Sequence, residues 1–301
     1  MCSSICTVIR GEPALAAVLA VAALLLWPAH ARPEVQLYEV TVPLEGTTEP
    51  DRAAAMLRAL QAVAVKATGR REAADNPTIT AANPSKYVQR YSTTADRMLK
   101  VGFDGRATEQ LLQQAGLPWW PTERPVTVVN APVGDPLEVE AAARWRGLPI
   151  SWSAADAAPA TATRALLTGV PGGGEFAWTF SHAGSTVQGR GSVVDGINLA
   201  ADTLAARYAP PSTRATSSLT LRIGGMDDLH SYSGLLAYLQ SLSLVRGVNV
   251  VSLAGAVVTV RMDVRGDRAL LARIAALDGR LQPTSEGEQE AEPEMDFVYL
   301  P

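Results

Sequence analysis

The stretch LTLRIGGMDDLHSYSGLLAYLQSLSLVRGVNVVSLAGAVVTVRMDVRGDRALLARIAALDGRLQ, Leu219–Gln282, decides the fold class. Leu219 to Ile223 alternates apolar and polar residues, which is the pattern of a half-buried strand. Asp227 and Asp228 then precede Leu229 to Leu242, a run with helical spacing and a cap at its start. Two β-branched runs follow, Val245 to Leu253 and Val257 to Val264, with Gly255 at the turn between them. Asp267 opens a second helix to Ala276, and Gly279 to Gln282 reads as a short strand. The order is βαββαβ, so residues 219–283 are expected to form a ferredoxin-like split module. The fold class is therefore α+β, built from several small modules of which this is the last.

Working back toward the N-terminus, residues 211–218 read as a Pro/Ser/Thr linker. Residues 122–210 form a middle α/β module. Its expected elements are strands at Val126–Val129 and Leu148–Trp152, a helix over Leu137–Arg146, and strands at Arg164–Val170, Glu175–Ser181 and Ser185–Ser192. Pro171-Gly-Gly-Gly174 is a hairpin connection, and a helix over Val193–Tyr208 closes the module before Pro210-Pro211. Ala154 to Thr163 is Ala-rich and irregular. Residues 32–121 form an N-terminal α+β module with a strand at Val35–Val42, a helix from Pro50 to about Lys66 capped by Gly69, a strand at Met98–Phe103 and a helix over Thr108–Ala115. Toward the C-terminus, residues 284–301 read as an acidic, disordered tail carrying Glu286, Glu288, Glu290, Glu292, Glu294 and Asp296. Phe297-Val-Tyr-Leu300 is its apolar tip.

Residues 1–31 read as a signal peptide. Arg10 gives a weakly positive start, Ala14 to Trp27 is unbroken apolar, Pro28 interrupts it, and Ala29-His30-Ala31 offers an Ala-x-Ala site with cleavage after Ala31. The run is short of the roughly 20 residues that cross a bilayer, so membrane contact is expected only through this segment while it is uncleaved. Both cysteines, Cys2 and Cys6, precede the cleavage site, and the mature chain then holds no thiol and no disulfide. Localisation is expected to be periplasmic. A net charge of -4 without a basic stripe gives no footprint for nucleic acid.

No catalytic, metal or cofactor-binding residue emerges. His182 and His230 lie in different modules and read as surface or capping residues, not ligands. Asp227-Asp228 reads as a helix cap rather than an acid/base pair. Gly172-Gly173-Gly174 lacks the lysine and helix start of a phosphate loop, and Gly224-Gly225 suffices as a tight turn. Lys66, Arg70 and Arg71 gather cations at a helix C-terminus, where they complement its dipole or form an anion or partner site. Trp119 and Trp120 are adjacent indoles at a module junction, placed either to pack that junction or to form an exposed hot spot.

The order of these pieces resembles a known family. Tyr38-Glu-Val-Thr-Val42, Val63-Ala-Val-Lys-Ala-Thr-Gly69, Asn76-Pro77, Tyr87-Val-Gln-Arg-Tyr91, Leu99-Lys-Val-Gly-Phe-Asp104, Leu111-Leu-Gln-Gln-Ala-Gly-Leu-Pro118, Trp120 and Arg124-Pro125 look like a Gram-negative envelope family, the domain of unknown function number two thousand and sixty-six. Arg146-Gly-Leu-Pro149, Leu166-Leu-Thr-Gly169, Trp178 and Leu204-Ala-Ala-Arg-Tyr208 extend the likeness, while Val129–Thr163 looks shortened. The resemblance implies export and an α+β fold. It implies no activity and carries over no site residue.

The expected function is a non-enzymatic interaction or assembly module that binds a protein partner of the envelope. Trp119, Trp120, Phe297 and Tyr299 are its candidate interaction residues, the last two as a short motif that adds a strand to a sheet edge. One alternative is an envelope-polymer hydrolase using carboxylates such as Asp104 or Asp263. The other is a small-ligand protein with a pocket near Trp119 and Trp120.

Overall fold

The computed structural model describes residues 36–152, 164–210, 216–284 and 295–301. The expected signal peptide, its cleavage after Ala31, the Ala-rich stretch 154–163 and most of the acidic run lie outside the described residues. Among the described residues the fold is α+β, with seven helices and three sheets.

The first sheet holds β1 (Glu39–Pro43), β2 (Val88–Thr93) and β3 (Met98–Phe103), antiparallel in the order β1-β3-β2. Before β2 come α1 (Glu49–Thr68), a 3-10 turn over Arg71–Asp75 and α2 (Pro77–Thr80). After β3 comes α3 (Gly105–Gln114). Thr48 and Asp51 form a reciprocal capping box at the start of α1. Gly69 ends it at φ 70°, and a Cβ there would fall 2.4 Å from the Ala205 Cβ and 2.6 Å from the Trp120 ring. The apolar stripe of α1, including Met56, Leu60 and Val63, packs on Val42, Leu99 and Val101 as one core.

The second sheet runs β5-β4-β6-β7-β8. It is built from β4 (Thr127–Asn130), α4 (Pro136–Arg146), β5 (Ile150–Ser151), β6 (Ala165–Gly172), β7 (Glu175–His182), β8 (Ser185–Gly191) and α5 (Val193–Tyr208). β4 pairs in parallel with β5 and β6, and β6-β7-β8 is an antiparallel meander. Gly173 and Gly174, both at positive φ, make the two-residue β6–β7 turn. Trp178 fills the gap between sheet and α5. A Cβ on Gly169 or Gly196 would meet its ring at 2.5 or 2.4 Å.

The third sheet comprises β9 (Thr216–Gly224), α6 (Leu229–Ser241), β10 (Val245–Ala254), β11 (Val257–Arg265), α7 (Arg268–Ala275), β12 (Leu281–Pro283) and β13 (Met295–Tyr299). The βαββαβ elements are present, but the sheet is not the four-stranded one that order predicts. Its order is β10-β11-β9-β13-β12. The C-terminal strand sits between β9 and β12, parallel to the first and antiparallel to the second.

Two expectations are corrected by this sheet. Residues 295–299 are not part of a disordered tail, because Phe297 and Tyr299 alternate into the core at 1% and 4% exposure. Phe297 pairs with Ile223 and Tyr299 with Leu281, so their burial completes the apolar layer of the sheet. Nor is 216–218 linker, since the pairing Thr216↔Arg265 extends β9 to that end of β11. One hydrophobic core runs continuously through the second and third sheets, from Trp119 to Tyr299.

Candidate functional site

The residues joining the three sheets are mostly cations and carbonyls. Arg124 is buried and donates four hydrogen bonds: from Nε to Pro121 O at 3.0 Å, from Nη1 to Gly147 O at 2.6 Å, and from Nη2 to Lys66 O at 2.9 Å and Trp120 O at 3.2 Å. Its guanidinium also lies 3.8 Å over the Trp120 ring. Lys66 O and Gly147 O belong to the C-terminal ends of α1 and α4, so one cation complements two helix dipoles. Arg146, 1% exposed, reaches Gly69 O at 2.8 Å, Asn198 Oδ1 at 2.6 Å and Asp202 Oδ1 at 2.5 Å.

The Lys66, Arg70, Arg71 cluster is accounted for here. Lys66 Nζ turns inward to Gln36 O at 3.2 Å and Glu39 O at 2.8 Å. Burial, reinforced by the charge of Arg124, lowers its pKa to about 8. Arg71 pairs with Asp202 at 3.1 Å and Arg70 with Glu72 at 3.6 Å. Lys66 is thus turned away from solvent, while Arg70 and Arg71 each pair with a carboxylate of this chain at the surface.

A second join centres on Glu109 of α3. It accepts from Tyr38 Oη at 2.9 Å, Arg246 Nη2 at 2.8 Å and Arg265 Nη2 at 2.9 Å. Burial alone would raise its pKa, but the Arg246 hydrogen bond, the Arg265 charge and the Tyr38 hydroxyl hold it below the usual carboxylate range. The same burial and the Glu109 charge push the Tyr38 phenol upward. Arg265 also lies 4.4 Å over the Trp119 ring. A third join is Glu123, which accepts from Ser243 N at 2.7 Å and Ser243 Oγ at 2.5 Å.

Trp119 and Trp120 are thus junction residues. At 6% and 0% exposure, each with a ring face covered by an arginine, they do not form an exposed hot spot. They share one continuous core with Phe297 and Tyr299, which belong to β13. Tyr299 faces Tyr238 with ring centroids 6.2 Å apart. The segment that was expected to add a strand to a sheet adds it to this chain's own sheet.

The candidate bases have structural roles or lie exposed. Asp104 caps α3, accepting from Ala107 N at 2.7 Å, and Asp228 caps α6, accepting from Ser231 N at 2.7 Å. Asp263 is exposed on β11 and Asp227 precedes the α6 cap. His182 is not a surface residue. At 4% exposure it sits between Arg164 O (Nδ1, 3.1 Å) and Tyr208 Oη (Nε2, 2.7 Å), and burial lowers its pKa. His230 is exposed in the first turn of α6. Among the described residues no group of three or more His, Cys, Asp or Glu could hold a metal ion, and no helix is long and apolar enough to cross a membrane.

The surface offers a different set of residues. On α4, Leu137, Ala141 and Trp145 recur at i, i+4 and i+8 and share one exposed face, with Leu137 66% and Trp145 47% exposed. Val139, Ala143 and Arg146 take the inward face of the same helix. Trp152, just past β5, is 43% exposed. The sequence signal for these residues was an indole four residues from a small residue and eight from a leucine on a short helix. Read alone, that pattern is a core stripe.

Residues 31–121 match a family model described as Domain of unknown function (DUF8605). This overturns the resemblance to the family numbered two thousand and sixty-six. The motifs that suggested it were Thr-Gly caps, Leu-Pro turns and alternating strands, which report local backbone geometry and recur in unrelated α+β proteins. The matched stretch ends at Pro121, next to the Arg124 junction. No curated protein matches the chain, and no solved structure does.

Proposed function

We propose that the protein is an exported, non-enzymatic interaction module of the bacterial envelope that binds a protein partner through the exposed face of α4. The observation that carries this reading is the apolar stripe Leu137–Ala141–Trp145, held on a helix whose opposite face is locked to α5 by Arg146. Large apolar side chains presented on a rigid element are the usual anchors of protein recognition, with tryptophan prominent among them. The helix cannot turn the stripe inward, because Val139, Ala143 and Arg146 already fill that side. Export is supported by the apolar run Ala14–Trp27 followed by Ala29-His30-Ala31.

The hydrolase alternative has less support. Asp104 is engaged as a helix cap, and the half-buried carboxylate of Glu109 is held ionised by two arginines, which suits an ion-pair hub better than a general acid. A photo-crosslinking residue at Trp145, expressed in intact cells, tests the proposal. Capture of one envelope protein from that position, and none from Gln188 on β8, is the expected result. Capture of nothing from Trp145, with turnover of a cell-wall fraction by the purified protein, would refute it.

A further inference from the structure

Among the described residues the three sheets have six edge strands, and five of them are blunted. β1 carries Glu39 and ends in Pro43, β2 carries Arg90 and a bulge, and β8 carries Arg190. β5 is two residues long, and β12 is three residues ending in Pro283. Short length, charge, proline and bulges are the devices that stop a sheet edge from recruiting another strand. β10 is ten residues long, carries no proline and no charge after Arg246, and its bulges leave a regular stretch between them. From Gly247 to Ala254 it reads GVNVVSLA, without a charged residue or a proline. No described strand pairs with its outer side. Val250, Val251 and Leu253 are exposed there at 41%, 53% and 56%.

Unpaired strand N–H and C=O groups are satisfied best by another extended chain. Two bulges break the β10–β11 ladder, at Val245/Gly247 and at Val250/Ser252, and leave Gly247–Val250 as the regular stretch. That stretch is complementary to itself. With Asn249 on a two-fold axis, antiparallel pairing sets Val248 against Val250 of the second copy on the apolar face. Asn249 meets Asn249 on the polar face, where an amide can both donate and accept. Gly247–Val250 holds no charged residue, and the flanking Arg246 is already paired with Glu109 of its own chain, so no like charges meet in the regular stretch. Closed two-fold pairing also consumes both edges and leaves none to propagate.

We infer that the protein self-associates through β10, two copies pairing antiparallel about Asn249 to join their third sheets into one continuous sheet. This interface is separate from the α4 face and does not rest on it. Either can fail while the other stands, because this one is read on purified protein alone.

Sedimentation velocity of the protein as isolated from cells, over a dilution series, is the test. The expected result is twice the mass of one chain at the high end, reverting to a single-chain mass in Val250→Lys and unchanged in Gln188→Lys on the β8 edge. Asn249→Cys supplies an independent check that does not depend on folding of the lysine variant. The described residues hold no native cysteine, so oxidation with diamide should give a disulfide-linked pair of chains, and the same substitution at Gln188 should not. A single-chain mass at every concentration would overturn the inference. So would a pair of chains that survives Val250→Lys and fails to crosslink through residue 249.

Discussion

Arg124 has four backbone acceptors and no carboxylate within its hydrogen-bonding shell. Its loss would leave buried carbonyls at the ends of two helices without a donor. Each such orphan costs about 1–3 kcal/mol. Arg124→Met is therefore expected to destabilise the protein by roughly 3 kcal/mol or more in urea unfolding, while an Arg70→Met control on the exposed rim stays near neutral. Lys66 behaves differently, because its pKa falls from 10.5 to about 8 on folding. Between those values the unfolded chain holds a proton that the native chain does not. Stability then rises with pH across that window and carries a burial penalty below it. Lys66→Met should remove that rise, seen as a difference between the two proteins' stability-versus-pH curves from pH 8 upward. His182 gives the acid counterpart. Its folded pKa lies below the ordinary 6.5, so the unfolded chain protonates first and stability falls as pH drops below that value. His182→Gln should flatten this arm. None of these roles was legible in the sequence. Buried arginine and lysine contradict the usual exposure of those residues, and only the meeting of two helix ends gives them a reason to be inside.

At the scale of elements, β13 is held by fit as much as by hydrogen bonds. Gly225 sits at φ 90°, and a Cβ there would lie 2.7 Å from Tyr299 O. Gly225→Ala should therefore strain both the turn and the strand beside it. Phe297 is 1% exposed against Ile223 of β9, and Phe297→Ala is expected to cost about 3–5 kcal/mol. Thermal unfolding of the two variants checks both, and a change no larger than that of an exposed substitution such as Gln282→Ala would count against β13 as a core strand. The longer helices and most strands were legible because their signals are local: Pro50 at the opening of α1, a Gly173-Gly174 turn, alternation in Val257–Val264. β2 was missed because VQRYST is almost wholly exposed and shows no apolar face. β13 was missed because its alternating Met295, Phe297 and Tyr299 follow a long acidic run. Insertion between β9 and β12 is a non-local choice that no window of sequence displays.

At the scale of the whole molecule, residues Val35–Pro301 form one compact unit. The second and third sheets share a core, and the first is tied to them through Arg124, Arg146 and Glu109. The Pro/Gly punctuation that suggested separate modules marks turns within that unit. It marks the Pro121 boundary of the family match as well. The candidate site was the least legible part, since the sequence nominated four aromatic residues that all prove to be buried. Aromatic residues at boundaries advertise burial and recognition alike, and solvent exposure separates the two only after folding. The reading of function depends on this reassignment. If the chain completes its own sheet with β13, the C-terminal segment is not a free binding motif, and the proposed contacts fall on α4 and the β10 edge instead. Native-state hydrogen exchange of the purified protein tests that claim most directly. Protection of the Phe297–Tyr299 amides in the same slow class as those of β9 is the predicted result. Exchange of those amides at the rate of an unstructured chain, with β9 remaining slow, would contradict it.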